Sequence, residues 1–433
     1  MLPILLKNSN NPAARTRVVY PIEAAVDYFI SLTVTGAFLT ILIKQMGVSD
    51  SLNGIISSLV TVSATIQIFT ASFMGKRRSV RRTSLFLQIA QHLLYALLYL
   101  LPFFRLGAGV QVVLFTVIYL AAACLCSMVS SAKFSWLNSF VEPGQRGIYS
   151  ARKEMISLIS GIIYNYIMSR VLDHYAEVGE LNTGFLICAV SILVLMVIHI
   201  VLMLLTADAP QIMQDLKNSP SLGSTLKINF SNPVFRKLLL VTCGWNFFCY
   251  LSISYYSVYM ISDIGVTVTF IAIAGIVSSL VRTVFSPRLG KYADKNGFAS
   301  ALQLGFLIAG VSNICMTLCC PGVLAKPMYI LYVSIHALSM GTLNSSLLNI
   351  LFQYIPKKDC MGAMGLYSAI GGLIGFGGSL LGGWILATVQ ANGNRVMGLP
   401  LYGQQLLSVL TVAGLVLLVI YMRKVIAKLP RLE

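Results

Sequence analysis

Residues 289–298 read LGKYADKNGF, a polar stretch that holds Gly290 and Gly297 and lies between two long apolar runs. Lys291 and Lys295 flank Asp294, so one carboxylate stands among bases in a chain that otherwise avoids charge. The bracketing glycines predict a tight loop, because glycine enters left-handed backbone without a Cβ clash. Two apolar runs joined by a short basic loop have the form of two membrane spans and their connection.

The rest of the chain follows that pattern. It is 57% hydrophobic and 10% charged, with a mean hydropathy of +0.81, whereas soluble domains carry roughly 25% charged residues. An all-α polytopic membrane protein is expected. A span needs about 20 apolar residues, and twelve such windows begin near residues 21, 51, 83, 109, 152, 182, 238, 267, 298, 327, 361 and 401. The longest polar segment, 206–237, divides them into two sets of six. The expected organisation is a tail over 1–20, a bundle over 21–205, a linker over 206–237, a second bundle over 238–426 and a tail over 427–433. The first residues lack a long apolar core with a small-residue cleavage site, so they predict a retained tail.

Lys and Arg set the orientation. With the N-terminus inside, one face collects Arg15, Arg17, the run Lys76-Arg77-Arg78 with Arg81 and Arg82, Arg146, Arg152, Lys153, Arg236, Lys237, Arg288, Lys291, Lys295, Lys357, Lys358 and the C-terminal bases. The other face holds Lys44, Arg105, Arg170, Lys326 and Arg395. Both termini are therefore expected in the cytoplasm, and the net charge of +17 becomes a topology signal. Nucleic-acid binding would need those bases on a folded soluble surface with aromatic platforms, and no such domain is visible. The nine cysteines form no metal-ligand pattern. Neither H-E-x-x-H nor G-x-S-x-G occurs, which argues against an intramembrane enzyme. No P-loop occurs, and no cofactor is implied.

The two halves echo one another. Met46-Gly47-Val48 closes span one as Ile264-Gly265-Val266 closes span seven, and the basic loop after span two begins at Gly75 as the one after span eight begins at Gly290. Pro143 after span four corresponds to Pro356 after span ten. A duplicated unit is expected.

With these features, G-K-Y-A-D-K-N-G at 290–297 resembles the loop signature of the major facilitator superfamily, in the copy between spans eight and nine. WLNSFVEPGQRGIYSARKE at 136–154 and YYSVYMISDIG at 255–265 resemble segments of poorly characterised bacterial members. The resemblance covers essentially the whole chain. It implies two pseudo-symmetric six-helix bundles, alternating access, a monomer, and a bacterial inner membrane. It also implies that Asp294 faces the start of span five near Ser150-Ala151-Arg152. There a helix N-terminus and Arg152 or Lys153 would hold the acid as a cytoplasmic gate, with Gly290, Lys295 and Gly297 shaping its loop. The N-terminal copy departs from the pattern: GKRRSVRR has no acid. Asp359, at the start of span eleven, then caps its own helix and attracts Arg77 or Arg78, unless the basic loop serves topology alone.

The resemblance places spans one, four, seven and ten around a central cavity. Span one carries Glu23 and Asp27 at i, i+4, on one face. An ionisable group in a span is expensive and by default functional. Asp27 is expected to be the deeper and to carry a proton, and Glu23 to lie nearer the interface. Candidate substrate residues are Tyr164 and Asn165 on span five, Trp245, Asn246 and Tyr250 on span seven, and His336 and Asn344 on span ten. Hydrogen-bonding groups among aromatics suit a neutral organic ligand, although short hydroxyls often bond their own backbone. His92 and His199 fall on peripheral spans and are expected to be structural. Arg282 and Lys44 lie near span ends, so no deep cation is expected and strongly anionic substrates are disfavoured.

Taken together, these residues predict a secondary transporter of a small neutral or weakly cationic organic solute, coupled to protons. Its partners would be the solute, H+ and the bilayer. The alternative is a lipid or lysolipid transporter of the same fold.

Overall fold

The computed structural model describes residues 11–104, 106–141, 146–209, 222–355, 357–396 and 398–430. Apart from a two-stranded hairpin, β1 (Arg395–Val396) with β2 (Leu399–Pro400), its regular structure is helical. Among the described residues, eleven helical stretches of 20 to 33 residues are long and apolar enough to cross a membrane. The helix Ala325–Tyr354, of 30 residues, holds the place of the tenth expected span.

The chain divides into two compact units, one of Met1–Gly47 with Ile66–Ser221, the other of Val48–Thr65 with Leu222–Glu433. In the first unit α1 (Pro12–Thr33) and α2 (Gly36–Lys44) form one interrupted span. In the second unit α3 (Asp50–Ser57) and α4 (Leu59–Ser63) follow. The first unit resumes with α5 (Gln67–Gly75), α6 (Val80–Leu100), α7 (Ala108–Asn138), α8 (Arg146–Glu177) and α9 (Leu181–Leu205). The second continues with α10 (Leu222–Ser231), α11 (Pro233–Ser252), α12 (Tyr256–Ser262), α13 (Val268–Asn296), α14 (Phe298–Thr317), α15 (Ala325–Tyr354), α16 (Lys357–Ala391) and α17 (Gly403–Lys424).

Local chemistry sets these limits. Asn11 caps α1 through its side chain, with Pro12 in the first helical position, and Asn232 with Pro233 repeats the device at α11. Both choices suit a helix start, where one lost N–H costs nothing. α1 ends where Gly36 takes φ 57°. The carbonyl of Thr33, freed by that break, accepts a hydrogen bond from the Tyr99 hydroxyl of α6, which satisfies a buried acceptor. In the first unit α1 packs on α8 and α9, and α6 packs on α7 and α9. In the second, α11 packs on α16 and α17, α14 on α15 and α17, and α3 on α16.

The stretch LGKYADKNGF is helix rather than loop. Residues 289–296 are the last turns of α13, and only Gly297, at φ 84°, breaks the path before α14 begins at Phe298. Gly290 lies inside the helix with open space where a Cβ would stand, so it makes no tight approach there. Lys295 in the last turn complements the negative end of the helix dipole. Hydropathy windows see only the apolar core of a helix, so several helices begin earlier than expected: α1 at Pro12, α8 at Arg146.

Candidate functional site

The extra turns of α1 change the depth of its two acids. Glu23, expected near the interface, is fully buried, whereas the Asp27 side chain is 30% exposed and is the member that solvent reaches. In burial the order is the reverse of the expectation, because Lys133 and His199 both close over Glu23.

Three other helices of the first unit converge on these acids. Lys133, on α7, donates to Glu23 Oε1 at 2.5 Å and to Asp27 Oδ2 at 3.0 Å. Gln88 and His92 lie one turn apart on the same face of α6, and Gln88 Nε2 donates to Asp27 Oδ2 at 3.3 Å. His92 Nε2 lies 3.2 Å from Asp27 Oδ1, and His199 Nε2, on α9, lies 2.5 Å from Glu23 Oε1. The rings of His92 and His199 meet edge to face, with centroids 5.0 Å apart. Lys133, His92, His199 and Glu23 are all buried.

Two expectations are corrected by this cluster. A deep cation does exist, namely Lys133. Its charge is committed to two carboxylates, so it is not free to meet an anionic solute. His92 and His199 are not bystanders, since each places a ring nitrogen on one of the acids. Donor atoms of Glu23, Asp27 and His199 lie within 4.8 Å of one another. The ammonium of Lys133 takes the seat between the carboxylates and supplies the positive charge there, so the set is an ion-paired network. With both acids ionised and Lys133 protonated, such a network carries a net charge of −1 in a low-dielectric interior, where charge is costly.

The second unit gathers uncharged groups. Trp245 is buried and stacks on Phe306, and Tyr332 stacks on His336 at 5.5 Å between centroids. The Tyr256 hydroxyl bonds Asn313 Oδ1 at 2.5 Å, while Thr411 donates to Ser252 at 3.0 Å. Trp245, Tyr256, Asn313, Tyr332 and His336 line a cavity of about 10 Å³, room for about one water. His336 Nδ1 is buried without a hydrogen-bond partner. The remaining candidates are scattered. Asn246 donates to Thr242 of its own helix, Tyr250 packs against Gly375, and Asn344 is exposed. Tyr164 stacks on Phe29 and bonds Ser191 at 2.9 Å, and Asn165 is half-buried beside it on α8.

Of the expected gate, the side chains of Asp294 and Asp359 lie outside the described residues. Arg152 is exposed and sits in the second turn of α8, not at its N-terminus. Arg78 is exposed, and Arg77 lies over the Phe73 ring at 4.6 Å. Among the described residues, Asp208 meets this stretch at the start of α6: it bonds the Ser79 side chain, and its Oδ1 accepts from the backbone N–H of Arg81 at 3.3 Å. Arg81 also donates to the Thr206 carbonyl at 2.8 Å.

The Major Facilitator Superfamily profile matches residues 24–324. The chain belongs to the major facilitator superfamily. No curated protein matches it in sequence, but solved structures share its fold. A bacterial homologue of the human lysosomal transporter Spinster, 16% identical, superposes with a TM-score of 0.67 over 96% of this chain and 97% of its own. A D-xylose-proton symporter, 15% identical, gives 0.66 over 95% and 97%. The nucleoside transporter NupG, 12% identical, gives 0.64 over 96% and 100%. The protein is thus a multi-pass membrane transporter, not an enzyme.

Proposed function

We propose that this transporter moves a small neutral or weakly cationic organic solute by alternating access, coupled to protons through the cluster around Glu23 and Asp27. The observation that carries the reading is the buried network itself. Two carboxylates and one ammonium leave a charge of −1 inside a helical bundle, and such a site is costly unless it does something. Lys133, the buried cation of the cluster, is committed to both acids and so does not serve a phosphate or dicarboxylate. The uncharged aromatic, amide and imidazole groups around Trp245 and His336, which here enclose room for about one water, would offer ring faces and hydrogen bonds to a ring or polyol once a cycle of alternating access opens the cavity. The bacterial inner membrane with both termini in the cytoplasm, and a monomeric state, complete the proposal.

A thermal-stability screen of the purified protein with nucleosides, pentoses and small organic amines identifies the solute class, because a ligand at 100 times its Kd stabilises by about 2.7 kcal/mol. In vesicles, Asp27→Asn should lose pH-gradient-driven accumulation of that solute by a larger factor than it loses gradient-free exchange. Equal losses would remove proton coupling from the reading. Movement of labelled lysolipid without any water-soluble solute would replace the solute with a lipid.

A further inference from the structure

The first unit surrounds His92 and His199 with charge yet leaves each ring half used. A neutral imidazole that bonds a carboxylate must donate to it, so Nε2 carries the hydrogen in both rings. Nδ1 then bears a lone pair, and in both rings that atom is buried with no hydrogen-bond partner. Glu23 Oε2 and Gln88 Oε1 are buried and unmatched as well. All four of these atoms are acceptors, so the cluster is short of hydrogens rather than short of places to put them.

Charge points the same way. With both acids ionised and Lys133 protonated the cluster carries −1; one proton brings it to zero, and a second would bring it to +1. Neutrality is the favoured state for a group buried away from water. Both acids already bond Lys133, and a carboxylate ordinarily titrates near 4, an imidazole near 6.5. The other titratable groups in the field of the cluster are Tyr20 of α1, Tyr95 of α6, Cys126 of α7 and Lys153 of α8. Tyr20, Tyr95 and Cys126 ordinarily titrate at about 8.5 or higher and are neutral when protonated, while Lys153 is held by the Tyr20 hydroxyl at 3.4 Å and over the Tyr20 ring rather than by either acid, so its charge stays outside the triad. The incoming proton therefore goes to Nδ1 of a ring, which becomes an imidazolium while its Nε2–H keeps the carboxylate. The rings are 5.0 Å apart, close enough that two imidazolium charges would repel one another.

We infer that His92 and His199 together form the seat of a single coupling proton, reached from the Asp27 side and held beside the Glu23–Lys133–Asp27 ion triad. The inference rests on the proton-coupled reading above but has a readout of its own. The chain has only four histidines, at 92, 174, 199 and 336, so NMR of ring-labelled protein in micelles can follow each one, with His→Gln variants as assignments. Between pH 8 and 5 the His92 and His199 signals should move together and sum to one proton. In His92→Gln the whole proton should appear on His199. In Glu23→Gln, whose cluster is already neutral, the rings should take up no proton over the same range. That variant keeps the test standing if the histidine substitutions fail to fold. Two full protons, none at all, or unchanged uptake in Glu23→Gln overturns the assignment. Proton-driven transport by a protein whose rings do not titrate would sink this seat and leave coupling intact. Titrating rings in a protein with no proton-driven transport would do the reverse.

Discussion

At the scale of single residues, Lys133 is the side chain on which the first unit depends. It bonds the buried Glu23 and the partly exposed Asp27, and its removal strands a buried carboxylate. Breaking a buried pair by deleting one partner costs about 3–5 kcal/mol, so Lys133→Met should lower the melting temperature in micelles sharply. Adding Glu23→Gln should recover part of the loss, since the two positions share one network and their effects should not add; strictly additive losses would mean that the 2.5 Å contact contributes little. The sequence exposed the two acids through their i, i+4 spacing but hid their partners. Lys133 falls where the apolar window of the fourth span runs out, so hydropathy assigns it to no helix face, and only the full length of α7 brings it inward. His92 and His199 were visible as mid-span ionisable groups, a sufficient signal by the cost of burying them. The expectation that spans three and six are peripheral set that signal aside.

At the scale of elements, two glycines in one signature do different work. Gly297 holds φ 84° and ψ 156°, a region that essentially only glycine occupies. Gly297→Ala should destabilise by about 1–3 kcal/mol. Gly290 is helical with open space around it, so Gly290→Ala should be neutral or stabilising by up to about 1 kcal/mol. Equal effects at the two sites would contradict the break at residue 297. The sequence suggests a loop over this stretch because glycine and charge together mimic turn chemistry, whereas a helix leaving the membrane tolerates both. The glycine run of α16 makes the same distinction. A Cβ on Gly378 would lie 2.3 Å from the Phe247 carbonyl oxygen, while one on Gly377 would meet nothing. Because the obstacle is backbone, no rotamer change relieves it, and α11 and α16 must separate. Gly378→Ala should therefore lower thermal stability and Gly377→Ala should not; similar melting temperatures would refute close packing of these two helices.

At the scale of the whole molecule, the chain repeats its frame but not its chemistry. Gly47 and Gly265 both hold φ 72°, Ser49 and Thr267 both cap the helix that follows, and positions 79 and 297 both precede a helix start. Each pair is 218 positions apart. The pair Gly47 and Gly265 is legible in the sequence because a left-handed glycine is a local signal, fixed by a few neighbouring residues, whereas the matching caps emerge from the structure. The difference between the halves is not legible there, because it lies in what each bundle buries. The first unit buries Glu23 and Lys133, whereas among its described residues the second buries no Asp, Glu, Lys or Arg and lines its cavity with Trp245, Tyr256, Tyr332 and His336. On the proposed function, charge handling belongs to one half and solute recognition draws on the other, so the two should separate by mutation. Trp245→Ala removes an aromatic wall and should raise the solute KM by about tenfold, which corresponds to 1.4 kcal/mol, while the pH at half-maximal transport stays in place. His92→Gln should displace that pH and leave the ranking of competing solutes unchanged. Transport rates across pH 5 to 8, with a panel of competing solutes at each pH, measure both quantities on the same vesicles. If Trp245→Ala moved the pH midpoint as far as His92→Gln does, recognition and coupling would share one site, and the division of labour between the halves would fail.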